Sequence, residues 1–211
     1  MSTICKRVFV FITLTLMSVF SVSAKAADTE EGKKLYQSCV ACHGDQGQGV
    51  DDLNGAALAG QYEWYLKRQL TFYKTGVRGS KPDDVIGQQM SAMSTILSEA
   101  DIENVSAYLA SLPVVTKVEA VAGDAAKGDN KYNAQCGACH GPDAKGNVSL
   151  NAPNLSMLSA KYLTQQMKSF QKDLRGFHQD DKYGRQMKMM ANTVTNDKDL
   201  NDIVAYIKSL K

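Results

Sequence analysis

Cys39, Cys42 and His43 stand in the order C-x-x-C-H, and Cys136, Cys139 and His140 repeat that order further along the chain. Side chains three residues apart on a helical turn share a face. Two thiols so placed reach the two vinyl groups on one edge of a porphyrin and form thioether bonds, while the adjacent imidazole ligates the iron. The pattern is therefore read as two covalently bound c-type haems. Cys39, Cys42, Cys136 and Cys139 are the attachment residues, and His43 and His140 the iron ligands. Structural zinc calls for four close protein ligands, one more than each motif supplies. A thioredoxin-type C-x-x-C calls for a βαβ setting, and no alternating β pattern of useful length is present.

Each iron has a second axial position, and methionine sulfur is one ligand that fills it. Met90 and Met187 are the candidates. Each opens a Met-x-x-Met pair, with Met93 and Met190, in what reads as a polar loop before the final helix of its copy. The later methionine of each pair, and Met189, remain alternatives. The histidine's other ring nitrogen needs an acceptor. The second copy offers Pro153 before Asn154 and Leu155, whereas the first has Ala56. Alanine lacks proline's rigidity, so the two haems are expected to differ in potential. His178, between Arg175 and Asp180, reads as a solvated surface residue.

The elements that must hold these groups also come twice. Cys39 and Cys136, Leu58 and Leu155, Tyr65 and Tyr162, and Met90 and Met187 are all separated by 97 residues. One inserted residue later, Tyr108 pairs with Tyr206. A period this long marks a duplicated domain rather than a solenoid. In each copy a short helical segment (29–38 or 127–135) leads into the cysteine pair. A Gly-, Asp- and Asn-rich loop follows. Then comes a helix (62–73 or 161–174), in whose first copy Tyr62, Tyr65, Leu66, Gln69 and Leu70 line one side. In the last helix of the first copy, Ser98 is the expected N-cap with Asp101 at N3, and Ile102, Val105, Tyr108, Leu109 and Leu112 form the inner face. Ile203, Tyr206, Ile207 and Leu210 do the same in the second. The fold class is all-α. About 90 residues per copy bury a modest core, which a bound cofactor would supplement.

The 211 residues start with a basic pair, Lys6 and Arg7, an uncharged apolar run from Val8 to Val22, and Ala24-Lys25-Ala26. The run is shorter than the ~20 apolar residues of a spanning helix. Residues 1–26 are read as a cleaved secretory signal that takes Cys5 with it, an uncleaved anchor being the rival. Residues 27–117 and 118–211 are the two domains, joined by a linker over 116–124. Without Lys6, Arg7 and Lys25 the chain has 21 basic and 22 acidic residues, a net charge of −1 that argues against nucleic-acid binding. Residues 27–117 carry −4 and residues 118–211 carry +3. This asymmetry would steer encounters with charged partners at low salt, a solvated surface without partner meaning being the alternative.

The chain resembles the dihaem cytochrome c4 family, two fused class I cytochrome c domains, each a few helices wrapped around one covalently bound haem. Besides the C-x-x-C-H pair, the resemblance rests on Leu58-Ala59-Gly60-Gln61, on Tyr65 to Leu70, and on the run from Met90 through Leu97-Ser98 to Ala107-Tyr108. In the second copy it rests on Met187 through Ala205-Tyr206-Ile207. The family implies Met90 and Met187 as iron ligands, and it commonly has proline where this chain has Ala56. It also implies crossed terminal helices, with Gly32 and Tyr36 meeting the Tyr108 helix, and Gly128 and Tyr132 the Tyr206 helix. The implied role is a periplasmic one-electron carrier, not an enzyme. Its partners would be redox proteins such as a terminal oxidase or reductase and a quinol-oxidising complex, with peripheral membrane association open. Two other roles compete with it: the haem subunit of a flavoprotein dehydrogenase of the sulfide-oxidising type, and a dihaem peroxidase, which needs one exchangeable axial site.

Overall fold

Asp28 starts the first helix by accepting hydrogen bonds from the Glu30 and Glu31 amides, and Asp124 does the same for Ala126 and Lys127 ninety-six residues later. The computed structural model describes residues 26–115 and 119–210; the expected leader, Cys5 and part of the expected linker lie outside them. The helices run α1 (Thr29–Tyr36), α2 (Val40–His43), α3 (Glu63–Lys74), α4 (Val85–Thr95) and α5 (Glu99–Ser111). The order then recurs as α6 (Ala125–Gln135), α7 (Gly137–His140), α8 (Ala160–Gln171), α9 (Lys182–Ala191) and α10 (Asp197–Ser209). Two isolated antiparallel bridges, Val50 with Gly55 and Asn147 with Ala152, are the only β pairing among the described residues. No described helix is long and apolar enough to cross a membrane.

The terminal helices of each repeat cross at a glycine. A Cβ on Gly32 would lie 2.1 Å from the Asn104 carbonyl oxygen, and one on Gly128 would lie 1.9 Å from that of Asp202. Only glycine lets these backbones touch. One turn on, the fully buried Tyr36 and Tyr132 pack against Tyr108 and Tyr206, with ring centroids 5.8 and 5.3 Å apart. The expected crossing is therefore present in both repeats. Ser98 and Asp101 form a reciprocal capping box. Behind it Ile102, Val105 and Leu109 are buried, at about 1.5–3 kcal/mol each. In α10 Leu200, Ile203, Val204 and Ile207 fill the same role.

One expectation is corrected. Met90 and Met187 sit on helices, α4 and α9, rather than in loops. Asp84 and Asp181 cap these helices by accepting from the Gly87 and Gly184 amides at 2.9 and 2.8 Å. The missing Cβ at each glycine lets the carboxylate bend back over the first turn. Residues 85–95 combine a glycine with no continuous apolar stripe, so the pattern hides the helix.

The repeats pack through side chains that reach from one into the other. Ala57 of the first is buried in the core cluster of the second. Buried Gln61 donates to the Asn154 carbonyl at 2.9 Å and accepts from the Asn154 amide at 3.0 Å. The described part of the linker is tied down too, Glu119 accepting from the Ala160 amide and pairing with Lys208.

Candidate haem sites

Each C-x-x-C-H run forms one short helical turn, with the first cysteine half-buried, the second exposed and the histidine buried. Among the described residues none of the four cysteines is in a disulfide. Burial pushes the Cys136 thiol up to about 11, and raises that of Cys39 as well. Gly44 and Gly141 follow the histidines at φ 81° and 78° and turn the chain away. Their carbonyls accept from the Tyr36 and Tyr132 hydroxyls at 2.5 and 2.7 Å, which fastens each turn to its core.

The imidazoles are oriented alike. His43 Nδ1 lies 2.9 Å from the Ala56 carbonyl oxygen, and His140 Nδ1 lies 3.1 Å from that of Pro153. A carbonyl only accepts, so the proton sits on Nδ1 and the Nε2 lone pair is left for a metal. Burial lowers the basicity of both rings, against the opposing pull of those carbonyls, and favours the neutral form that ligation needs. Ala56 thus makes the contact without a proline ring.

In the second repeat Cys136, Cys139, His140 and Met187 line one largely apolar cleft, walled by Leu163, Phe170, Val194 and Ile203. Met190 also borders it but is 38% exposed, whereas Met187 is half-buried; Met189 is 64% exposed and lies outside. Met90 and Met93 divide the same way, half-buried against 40% exposed. His178 is half-buried, accepts from the Asp180 amide through Nδ1 at 3.2 Å and stays out of the cleft.

Sequence reasoning missed what lies between the repeats. Arg78 donates to Gln69 Oε1 at 2.6 Å and across the interface to Gln166 Oε1 at 2.8 Å. Arg175 donates to Gln166 Oε1 at 2.7 Å, and across it to Gln69 Oε1 at 3.1 Å and Tyr65 Oη at 2.9 Å. Both pairs, Gln69/Gln166 and Arg78/Arg175, stand at the 97-residue offset, so the repeat itself was the signal. Both guanidiniums are buried, and among the described residues neither has a carboxylate ion pair. Burial opposes ionisation of Tyr65, but the Arg175 and Arg78 charges outweigh it and hold the phenol below its ordinary range.

These features fit a haem. The cleft supplies an apolar bed, two thiols at one end, a free imidazole nitrogen and a thioether. At the interface Arg175 Nε and Arg68 Nε are buried donors without an acceptor among the described residues, which suits the two carboxylates that a haem carries.

The comparisons agree. A cytochrome c family model matches residues 29–113 and 125–211. A cytochrome c4 of Stutzerimonas stutzeri is 30% identical over 214 residues, covering 97% of this chain and 99% of its own. A thiosulfate dehydrogenase electron acceptor of Thiomonas intermedia strain K12 is 35% identical over 143 residues, 63% of this chain and 62% of its own. The crystal structure of reduced recombinant cytochrome c4 from Pseudomonas stutzeri superposes with a TM-score of 0.68 at 30% identity, covering 88% of this chain and 100% of that one. The chain belongs to the cytochrome c family, as a tandem, dihaem electron carrier of the cytochrome c4 type with two covalently bound c-type haems.

Proposed function

We propose that this protein passes single electrons between respiratory redox proteins in the periplasm, through two irons that each have one histidine and one methionine ligand. Cys39 and Cys42 carry one haem and Cys136 and Cys139 the other. His43 with Met90, and His140 with Met187, hold the irons, and the domains divide at 117/118. The observation that carries this reading is the single cleft shared by Cys136, Cys139, His140 and Met187, with His140 already oriented through Nδ1.

Bound haem iron supplies a one-electron ferrous–ferric couple. The protein's part is to keep the site unchanged as the electron comes and goes. The carbonyls of Ala56 and Pro153 fix the histidine rings. The thioether ligands favour the reduced state. The apolar walls keep water from the metal. His43 with Met90, and His140 with Met187, would leave an iron held between them no place for a substrate, which separates a carrier from a peroxidase. Carbon monoxide added to the reduced protein at neutral pH is expected to leave the spectrum unchanged; a bound adduct would overturn the closed-site reading.

Partner choice follows from charge. The basic α9 carries Lys182, Arg185 and Lys188, whereas its counterpart α4 has no charged residue. This gathers part of the −4 and +3 imbalance of the halves on one helix and supports steering by an acidic partner. A terminal oxidase or reductase and a quinol-oxidising complex are the proposed partners, and the likeness to an electron acceptor of thiosulfate dehydrogenase supports a redox protein as donor. One observation favours the second reading, a subunit of a flavoprotein dehydrogenase. The first repeat exposes Val85, Ile86, Met93 and Ile96 around α4, an apolar group that a permanent partner would cover. Co-purification with a flavoprotein would decide for it.

A further inference from the structure

The two repeats make one contact twice, with different chemistry. From α3, Arg68 reaches across the interface and donates to Asn151 Oδ1 at 3.0 Å and to the Asn151 carbonyl at 3.3 Å. Ninety-seven residues later, α8 presents Gln165, whose Nε2 donates back to Asn54 Oδ1 at 2.6 Å. Asn54 and Asn151 are equivalent, each ending a short 3-10 turn with φ 56°. The shape of the contact is the same in both directions. One donor is a cation and the other a neutral amide.

Arg68 also stands in the wall of the second-repeat cleft, together with Cys136, Cys139, His140 and Met187. Its guanidinium lies 4.7 Å from the ring centroid of Tyr183, another wall residue. Its Nε is buried with no acceptor among the described residues. Asp181 is the carboxylate that acts on it from a distance. The first repeat has Asp84 in the same capping role, so this carboxylate is common to both sites and does not cancel the difference. An arginine stays protonated throughout the working range. A fixed positive charge in a poorly solvated wall acts over several ångströms with little screening. It opposes gain of positive charge at a neighbouring iron, and net charge is one of the levers that set a haem potential.

We infer that Arg68 is a potential-setting residue lent by the first repeat to the second: its charge raises the reduction potential of the haem in the Cys136–Cys139 cleft, while Gln165 returns the contact without the charge. This rests on the assignment of Cys136, Cys139, His140 and Met187 to the second haem.

The test is an optical redox titration of the intact dihaem protein, with haem content checked by mass. M187A marks the second midpoint, because loss of the thioether displaces that one alone. R68Q is a mild change, since Gln165 already shows that glutamine makes this contact. It is expected to lower the second midpoint more than the first. R68K, which keeps the charge, is expected to hold it near the wild-type value. If M187A displaces one midpoint and R68Q fails to lower that one more than the other, the inference is overturned and the site assignment stands. An R68K midpoint as low as that of R68Q would assign the effect to shape and also overturn it. If M187A displaces neither midpoint, the site assignment falls and takes the inference with it.

Discussion

His43 Nδ1 and the Ala56 carbonyl oxygen lie 2.9 Å apart, and the chain around them is folded like that around His140 and Pro153, down to the bridges Val50–Gly55 and Asn147–Ala152. The orientation of the ring thus comes from the loop, not from the pyrrolidine. Ala56→Pro should retain both haems and leave the visible spectrum unchanged. It should raise stability by about 0.4–1 kcal/mol by restricting the unfolded chain. Denaturant unfolding, with the spectrum recorded alongside, checks both points.

Gly32→Ala sets two effects against each other. Alanine gains about 1 kcal/mol of helix propensity over glycine. The new Cβ, however, would meet the Asn104 carbonyl oxygen at 2.1 Å, a backbone atom that cannot swing aside. Separating α1 from α5 should win, for a net loss of about 1–3 kcal/mol. Gly128→Ala should behave alike between α6 and α10. Urea titration followed by circular dichroism measures each loss.

Gln61→Ala removes a side chain that satisfies both backbone groups of Asn154 across the interface. Its counterpart in the second repeat is Leu158, so no symmetric bond compensates. Leaving buried polar groups unpaired costs about 1–3 kcal/mol. The repeats should then unfold less cooperatively, seen as a broader or split thermal transition.

Asp202 and Asn104 occupy equivalent places, accepting from the Asp124 and Asp28 amides, each at 2.8 Å. Only Asp202 titrates. Its ion pair with Lys198, then the Asp124 amide, hold its carboxyl below the usual range. A depressed carboxyl stabilises the fold above its unfolded value, about 3.9, and that contribution is lost as pH falls through the folded value. Wild type should therefore exceed Asp202→Asn in melting temperature at neutral pH. The gap should close progressively below about pH 4.

Much of this was legible in the sequence. The C-x-x-C-H pair, the 97-residue offset, the Ser98 cap and the inner face of the last helix all report local spacing, and local spacing sets helical turns and caps. The helices bearing Met90 and Met187 were not legible: residues 85–95 have no continuous apolar stripe, and α9 is short and largely polar or charged. The interface was hidden for a different reason. Periodicity reports that Gln69 and Tyr65 turn inward, but not that they meet Arg175 of the other repeat. Arg68 and Gln61 look like ordinary surface and loop residues until the second repeat closes over them.

The proposed carrier requires each iron to be held by one histidine and one methionine. Near-infrared absorbance of the fully oxidised protein, per chain, tests this most directly, because ferric haem with a thioether ligand has a weak band there. Wild type should show two equivalents, and Met90→Ala and Met187→Ala should each show one. Two equivalents remaining in either variant would contradict the account.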